Sequence, residues 1–249
     1  MVSQHEQSPP LVVLLTATID PRGTPFVAVK DPAIRLAQYK QALKQWLHVP
    51  APFSLAFCEN SGYGATAIAE VARVENRFHR PIALFGLESS DGCAEFGKGH
   101  GEMDILRQWL AKREGQERYV LKVTGRLSVM NARRLILSLA GCEEDVRCEL
   151  RRNLTYSDSR IFFASSGFLR DFLVPRIEEV DDVHGVYFEH VLARSVHSAL
   201  AEGRKWAPLP VRPWVRGRSG STGAAYGSSV LRESLAATFH AVRRAVISA

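Results

Sequence analysis

Residues 11–18 (LVVLLTAT) form an unbroken apolar run, the pattern of a strand covered on both faces. The turn residues Asp20-Pro21-Arg22-Gly23 stop it. Asp31-Pro32 then offers a cap and a first-turn proline for a helix reaching about Leu47, with Ile34, Leu36, Tyr39, Leu43, Trp46 and Leu47 at helical spacing. A second apolar strand over 53–58 ends in Glu59-Asn60-Ser61-Gly62, 68–74 reads as helical or mixed, and 81–87 (PIALFGL) is a third strand. A helix over 102–113 and a fourth strand over 119–129 follow. Strands alternating with helices predict a mostly parallel sheet, and the polar turns fall after the strands, where ligands bind in open α/β sheets.

The second half is less regular. Residues 131–139 read as a helix, 145–150 as extended, 159–165 (SRIFFAS) as a strand and 168–174 as a short helix. The acidic run at 178–182 precedes Tyr187-Phe188-Glu189-His190, which opens a helix to about Leu200. Prolines 208, 210 and 213 oppose long regular structure, and a glycine- and serine-rich run at 216–223 leads to a final helix from about Ser229. No internal repeat and no strong linker is present. The expected organisation is one domain over 1–249, with a ligand-binding half at 11–130 and a second half at 131–249.

The chain of 249 residues is 46% hydrophobic, enough for a sizeable core without disulfide or metal staples. Its net charge of +6 favours anionic partners. The four cysteines form no CxxC and no short pairing with histidine, which argues against structural zinc and for reduced thiols. No basic segment followed by a long apolar stretch opens the chain, so a cytoplasmic location is expected. The arginines do not interleave with aromatics as a base-stacking platform would require, and no nucleic-acid partner is expected.

Two segments carry the sharpest chemistry. In 97–104 (GKGHGEMD), glycines at alternate positions bring Lys98 and His100 to a helix that should start near Glu102. In 119–129 (YVLKVTGRLSV), an apolar strand ends in Lys122, Thr124, Gly125 and Arg126. Glycines such as Gly99 let backbone approach a phosphate, helix-start amides point at it, and fixed cations neutralise it. Neither segment is a standard nucleotide signature, and His100 serves equally well as a local hydrogen-bonding residue.

These motifs, with TATID (16–20), FCENSG (58–62), DSRIFFAS (158–165), YFEHVLA (187–193) and RSGSTG (218–223), stand in an order that resembles the GT-A type nucleotide-sugar glycosyltransferases, especially bacterial transferases of lipopolysaccharide and capsule pathways. The resemblance spans about 11–226. It implies a single GT-A-like, Rossmann-like α/β domain: a mostly parallel central sheet flanked by helices, then a less regular acceptor half. It also implies a nucleotide-sugar donor, a glycan or lipid-linked glycan acceptor, and contact with the inner membrane from the cytoplasmic side.

By that resemblance, Thr16, Thr18, Asp20, Glu59 and Asn60 face the nucleoside, although the threonines also suit a strand and Asp20 a turn. Lys98, Lys122 and Arg126 would neutralise the diphosphate where the family usually places a metal-binding Asp-any-Asp. The expectation is therefore no cofactor, with Mg²⁺ or Mn²⁺ as the alternative and Asp158-Ser159-Arg160 as a displaced, incomplete metal motif. Glu189 would be the base of an inverting transfer, with Asp181 and Asp182 as alternatives and helix capping as its ordinary role. Arg218, Ser219, Gly220 and Ser221 would close over the donor, or be a plain linker. A nucleotidyltransferase and a non-catalytic anion- or nucleic-acid-binding protein are the rival readings.

Overall fold

The computed structural model describes residues 11–89, 92–113, 118–220, 222–226, 237, 238 and 240. The expected C-terminal helix lies almost wholly outside these residues, as does Ser221. Strand β1 (Leu11–Ala17) is buried along its whole length, because side chains of opposite parity enter two different cores. Helix α1 (Pro32–Leu47) follows, with the Asp31 carboxylate accepting from the Ala33 amide at 2.8 Å. Its Tyr39, Leu43, Trp46 and Leu47 pack into the core that receives Val13 and Leu15.

Next come β2 (Ser54–Glu59), α2 (Ala65–Glu75), β3 (Ile82–Gly86), the short α3 (Gly92–Phe96) and α4 (Lys98–Ala111). Helix α4 places Met103, Leu106 and Trp109 in the opposite core, with Val12 and Leu14. It starts four residues before the expected Glu102, because Gly97 adopts φ +101° and turns the chain into the helix there.

The expected fourth strand splits into β4 (Tyr119–Thr124) and β5 (Ser128–Val129). The break is at Gly125, whose amide donates to the Thr16 carbonyl at 2.8 Å, so close that a Cβ would sit 2.7 Å from that oxygen. Then follow α5 (Ala132–Leu139), β6 (Val146–Arg147), a hairpin of β7 (Leu150–Arg151) and β8 (Tyr156–Ser157), β9 (Ile161–Ser165) and α6 (Ser166–Phe168). One π-helical turn and one 3₁₀ segment lead to α7 (Phe188–Ala201), β10 (Trp206–Ala207), β11 (Val215–Arg218) and β12 (Ala225–Tyr226).

The main sheet runs β10-β6-β9-β4-β1-β2-β3. All its pairings are parallel except those of β9 with β4 and β6. The fold is thus mixed α/β with a mostly parallel sheet between helices, and strands of the second half extend it. The strand order reverses between β1 and β4: β2 and β3 follow on one side and β9 and β6 on the other, while β1 and β4 themselves pair in parallel with Thr16 opposite Thr124. That junction is the switch point at which open α/β sheets leave a crevice. Within the 216–223 run the described residues begin with the end of β11, which pairs with β5 and β12, so this stretch is tied into a sheet. The Ser219 amide donates to the Ala224 carbonyl at 2.7 Å, and Ala28 donates to the Gly220 carbonyl at 2.9 Å.

Candidate active site

The floor of the crevice is a buried ion pair. Lys122, with no solvent exposure, puts Nζ 2.7 Å from Glu102 Oε1 and donates to the Ser159 carbonyl at 2.6 Å. The in-register hydroxyls of Thr16 and Thr124 donate to the same Glu102 oxygen, at 2.6 and 3.0 Å. Burial raises the Glu102 carboxyl, but the Lys122 charge and these hydrogen bonds outweigh it and hold the pKa below the usual carboxylate value. Lys122 therefore lies under the cavity as the counterion of Glu102, and it lines neither chamber of the cleft in which it was expected to meet a diphosphate.

Above this floor the cleft has two chambers that share Lys98, Glu102, Thr124, Arg126 and Gly220. The narrower chamber is bounded by the end of β1, the 20–31 loop and α1, with Thr18, Pro21, Val27, Arg35 and Tyr39 on its wall. The wider one, about 420 Å³, is within the size range of small-molecule sites and reaches Tyr156, Ser159, Arg160, Glu189 and Tyr226. On the shared rim Arg126 donates to the Arg218 carbonyl at 2.5 Å, and its guanidinium lies where a side chain on residue 220 would be.

Glu189, in the first turn of α7, accepts from Ser159 Oγ at 2.8 Å. Burial pushes its carboxyl above the ordinary value, the Ser159 bond pulls it back in part, and the Glu102 charge adds to the rise. Ser159 thus links both carboxylates: its carbonyl receives Lys122 and its hydroxyl holds Glu189. Two carboxylates in one cleft with oppositely shifted pKa values have separate acid–base roles available to them.

The glycines of 97–101 serve packing. A Cβ on Gly97 or Gly99 would run into the Asp182 side chain, and one on Gly101 into Cys93 Sγ. Asp182 Oδ2 accepts from the Gly99 amide at 2.9 Å, so the helix start that was expected to hold a phosphate already holds a carboxylate. Its burial raises the Asp182 pKa. His100 is buried against Phe96, with Nδ1 unpartnered among the described residues. Asp181 closes its own turn, accepting from the amides of Val183 and His184 at 3.0 Å, and lines neither chamber. Glu189 is the expected base that faces the cleft; Asp181 and Asp182 do not.

Glu59 and Asn60 are likewise occupied. Glu59 accepts from the amides of Ile19, Ser61 and Gly62 at 2.7–3.1 Å, and Asn60 Oδ1 accepts from Thr18 Oγ1 at 2.7 Å. Asp20 caps the Arg22 amide. These residues shape the loops around the narrow chamber; only Thr16 and Thr18 among them line it. Asp158 receives a twofold bond from Arg160, at 2.8 and 2.6 Å, which outweighs burial and holds its carboxyl below the ordinary range. Arg218 and Ser219 stand in the hairpin, Ser219 against the wide chamber.

The carboxylates at this strand end are already engaged. Glu102 and Asp158 are each bonded to a cationic side chain, and among the described residues no three His, Cys, Asp or Glu side chains gather. Sequence reasoning missed Glu102, Arg35, Tyr39, Arg151, Arg152, Tyr156 and Tyr226. Glu102 had a signal, since Lys122 in an otherwise apolar strand needs a buried partner. The others come together only through tertiary contacts.

No protein-family model and no curated protein matches the chain. Solved structures of similar fold include a mannosyltransferase of Pyrobaculum calidifontis in complex with GDP-Man and Mn²⁺, at 12% identity, TM-score 0.47, over 82% of this chain and 55% of that one. The glycosyltransferase GlyE of Streptococcus pneumoniae is similar at 11% identity, TM-score 0.49, over 82% and 45%. A cytidylyltransferase of Leptospira borgpetersenii is similar at 11% identity, TM-score 0.43, over 80% and 74%. The chain thus spans about half the length of the first two.

Proposed function

We propose that this protein is a glycosyltransferase that moves a sugar from a nucleotide-activated donor to a hydroxyl of a bacterial surface glycan, with inversion. One observation carries the reading: Glu189 lies in the same chamber as Lys98 and Arg126, which border the adjoining narrow chamber. The nucleoside enters the narrow chamber and the diphosphate lies at the shared rim. As the acceptor oxygen bonds to the anomeric carbon, Glu189 takes its proton and the bond to the diphosphate breaks. Arg126 and Lys98 stabilise the charge on the leaving diphosphate. Glu102, held ionised by Lys122, keeps the floor fixed, and the reaction runs without a divalent ion. A lipid-linked acceptor brings the protein to the inner membrane surface, and among the described residues no helix is long and apolar enough to cross a membrane.

A panel of nucleotide sugars, assayed for transfer and hydrolysis, tests this reading. Release of nucleoside diphosphate is the expected result. Absence of binding by every nucleotide sugar and nucleoside diphosphate overturns it, and pyrophosphate release from a nucleoside triphosphate would replace it with nucleotidyl transfer.

A further inference from the structure

The wide chamber has a wall that the transfer chemistry leaves unused. The β7–β8 hairpin turns through Arg152, Asn153 and Leu154, all with left-handed φ (+50°, +54° and +65°) although none is glycine. Such a run is strained, and it persists only where the surroundings over-determine it. Here Thr155 bonds the Arg152 carbonyl through both its amide (3.2 Å) and its hydroxyl (2.7 Å), and a His197 ring nitrogen lies 2.9 Å from the Leu154 carbonyl. The turn holds the Arg152 guanidinium 4.5 Å from the centre of the Tyr156 ring, at the chamber wall.

Arg152 differs in its pairing from the neighbouring arginines. Arg160 is bonded twice to Asp158, and Arg151 comes within 3.8 Å of the same carboxylate. Among the described residues no carboxylate lies at ion-pair distance from Arg152. Arg152 and Tyr156 line the wide chamber and not the narrow one, whereas Arg126 and Lys98 line both. Arg152 thus shares the wide chamber with Glu189 and lies outside the narrow chamber given above to the nucleoside. Tyr156 has its phenol pushed up to about 12, by burial first and the Glu189 charge second, so it stays a hydrogen-bond donor at neutral pH.

We propose that the acceptor is an acidic sugar, whose carboxylate or phosphate is held by Arg152 against Tyr156 while its hydroxyl faces Glu189. This rests on the glycosyltransferase reading and adds the acceptor class to it. Calorimetry with methyl glucuronide, glucose 6-phosphate and neutral methyl glucoside, each added to protein saturated with UDP or GDP, tests it. Both acidic sugars should bind about fivefold more tightly than methyl glucoside. Arg152→Gln should erase that preference, Arg152→Lys should keep part of it, and UDP or GDP affinity should not change. Equal affinity of acidic and neutral sugars, or a preference that survives Arg152→Gln, overturns the proposal. A further arm compares UDP-glucuronate with UDP-glucose: an Arg152-dependent preference confined to the donor would place the charge there and overturn the acceptor assignment. If acidic sugars bind through Arg152 while no nucleotide binds, the transferase reading fails and an acidic-sugar site remains.

Discussion

Lys122 and Glu102 lie 2.7 Å apart beneath the cleft, the ammonium fully buried and the carboxylate one-fifth exposed (0% and 21%). The Lys122 ammonium helps hold Glu102 ionised where burial alone would raise its pKa. Lys122→Met, which leaves Glu102 without its cation, should cost about 3 kcal/mol of stability in urea unfolding. Adding Glu102→Gln to it should recover more than half of that loss. Strict additivity of the two single changes would show that the pair is not coupled.

Glu189→Gln should slow sugar transfer by about 10²- to 10⁴-fold and leave nucleoside diphosphate affinity unchanged. A base must be ionised, and burial raises Glu189 above the ordinary carboxylate pKa. The acid limb of kcat should therefore lie above the usual carboxylate range, with activity lost as pH falls through it. Ser159→Ala removes a hydrogen bond to the ionised form and should move that limb to higher pH. A limb that stays at the ordinary value in both proteins would remove Glu189 from the reaction.

Gly97→Ala meets both a left-handed backbone and the Asp182 side chain. It should cost about 2 kcal/mol in thermal unfolding, with the affinity of the folded protein for UDP or GDP little changed. A large loss of affinity at unchanged stability would return these glycines to the phosphate.

Asp182 and Glu102 should give opposite pH dependences. The folded-state pKa of Asp182 is raised, so the native protein keeps that proton to higher pH than the unfolded chain does. The stability it contributes is present below the ordinary aspartate pKa and lost as pH rises through the raised one. Glu102 is depressed, so its contribution is present above the ordinary glutamate value and lost as pH falls through the folded one. Urea midpoints across pH 3–8 should lose the first dependence in Asp182→Asn and keep the second. An unchanged Asp182→Asn profile would contradict the assignment.

Glu102 and Asp158 are bound to Lys122 and Arg160, so sugar transfer should persist in excess EDTA. Activity restored only by Mg²⁺ or Mn²⁺ would show that these ion pairs open to admit a metal.

Much of the fold was legible in the chain because its signals are local. The apolar run of β1, the Asp31-Pro32 start of α1 and the apolar stretches of β2, β3 and β4 each depend on neighbouring residues, and all but β4, which stops at Thr124, formed within a residue or so of their expected bounds. The helix opening at Tyr187–Glu189 was legible as well, since its start signals are local; the role of Glu189 as a base came from the family resemblance alone. The glycine-rich 97–101 segment is ambiguous for the same reason: a close approach demands glycine whether the neighbour is a phosphate or a carboxylate, and in the structure the Gly99 amide meets Asp182, 83 residues away.

Composition and periodicity thus determined a mostly parallel α/β sheet with polar chemistry at the strand ends. Which polar groups face the cleft was decided only by tertiary structure. Lys122 found Glu102 and the Gly99 amide found Asp182, because each buried charge or orphan amide must be satisfied by whatever the packed elements bring within 3 Å, whereas Arg160 pairs with Asp158 only two residues away. Those pairings left Glu189, Arg126 and Arg152 facing the cleft, an outcome that no local pattern encodes.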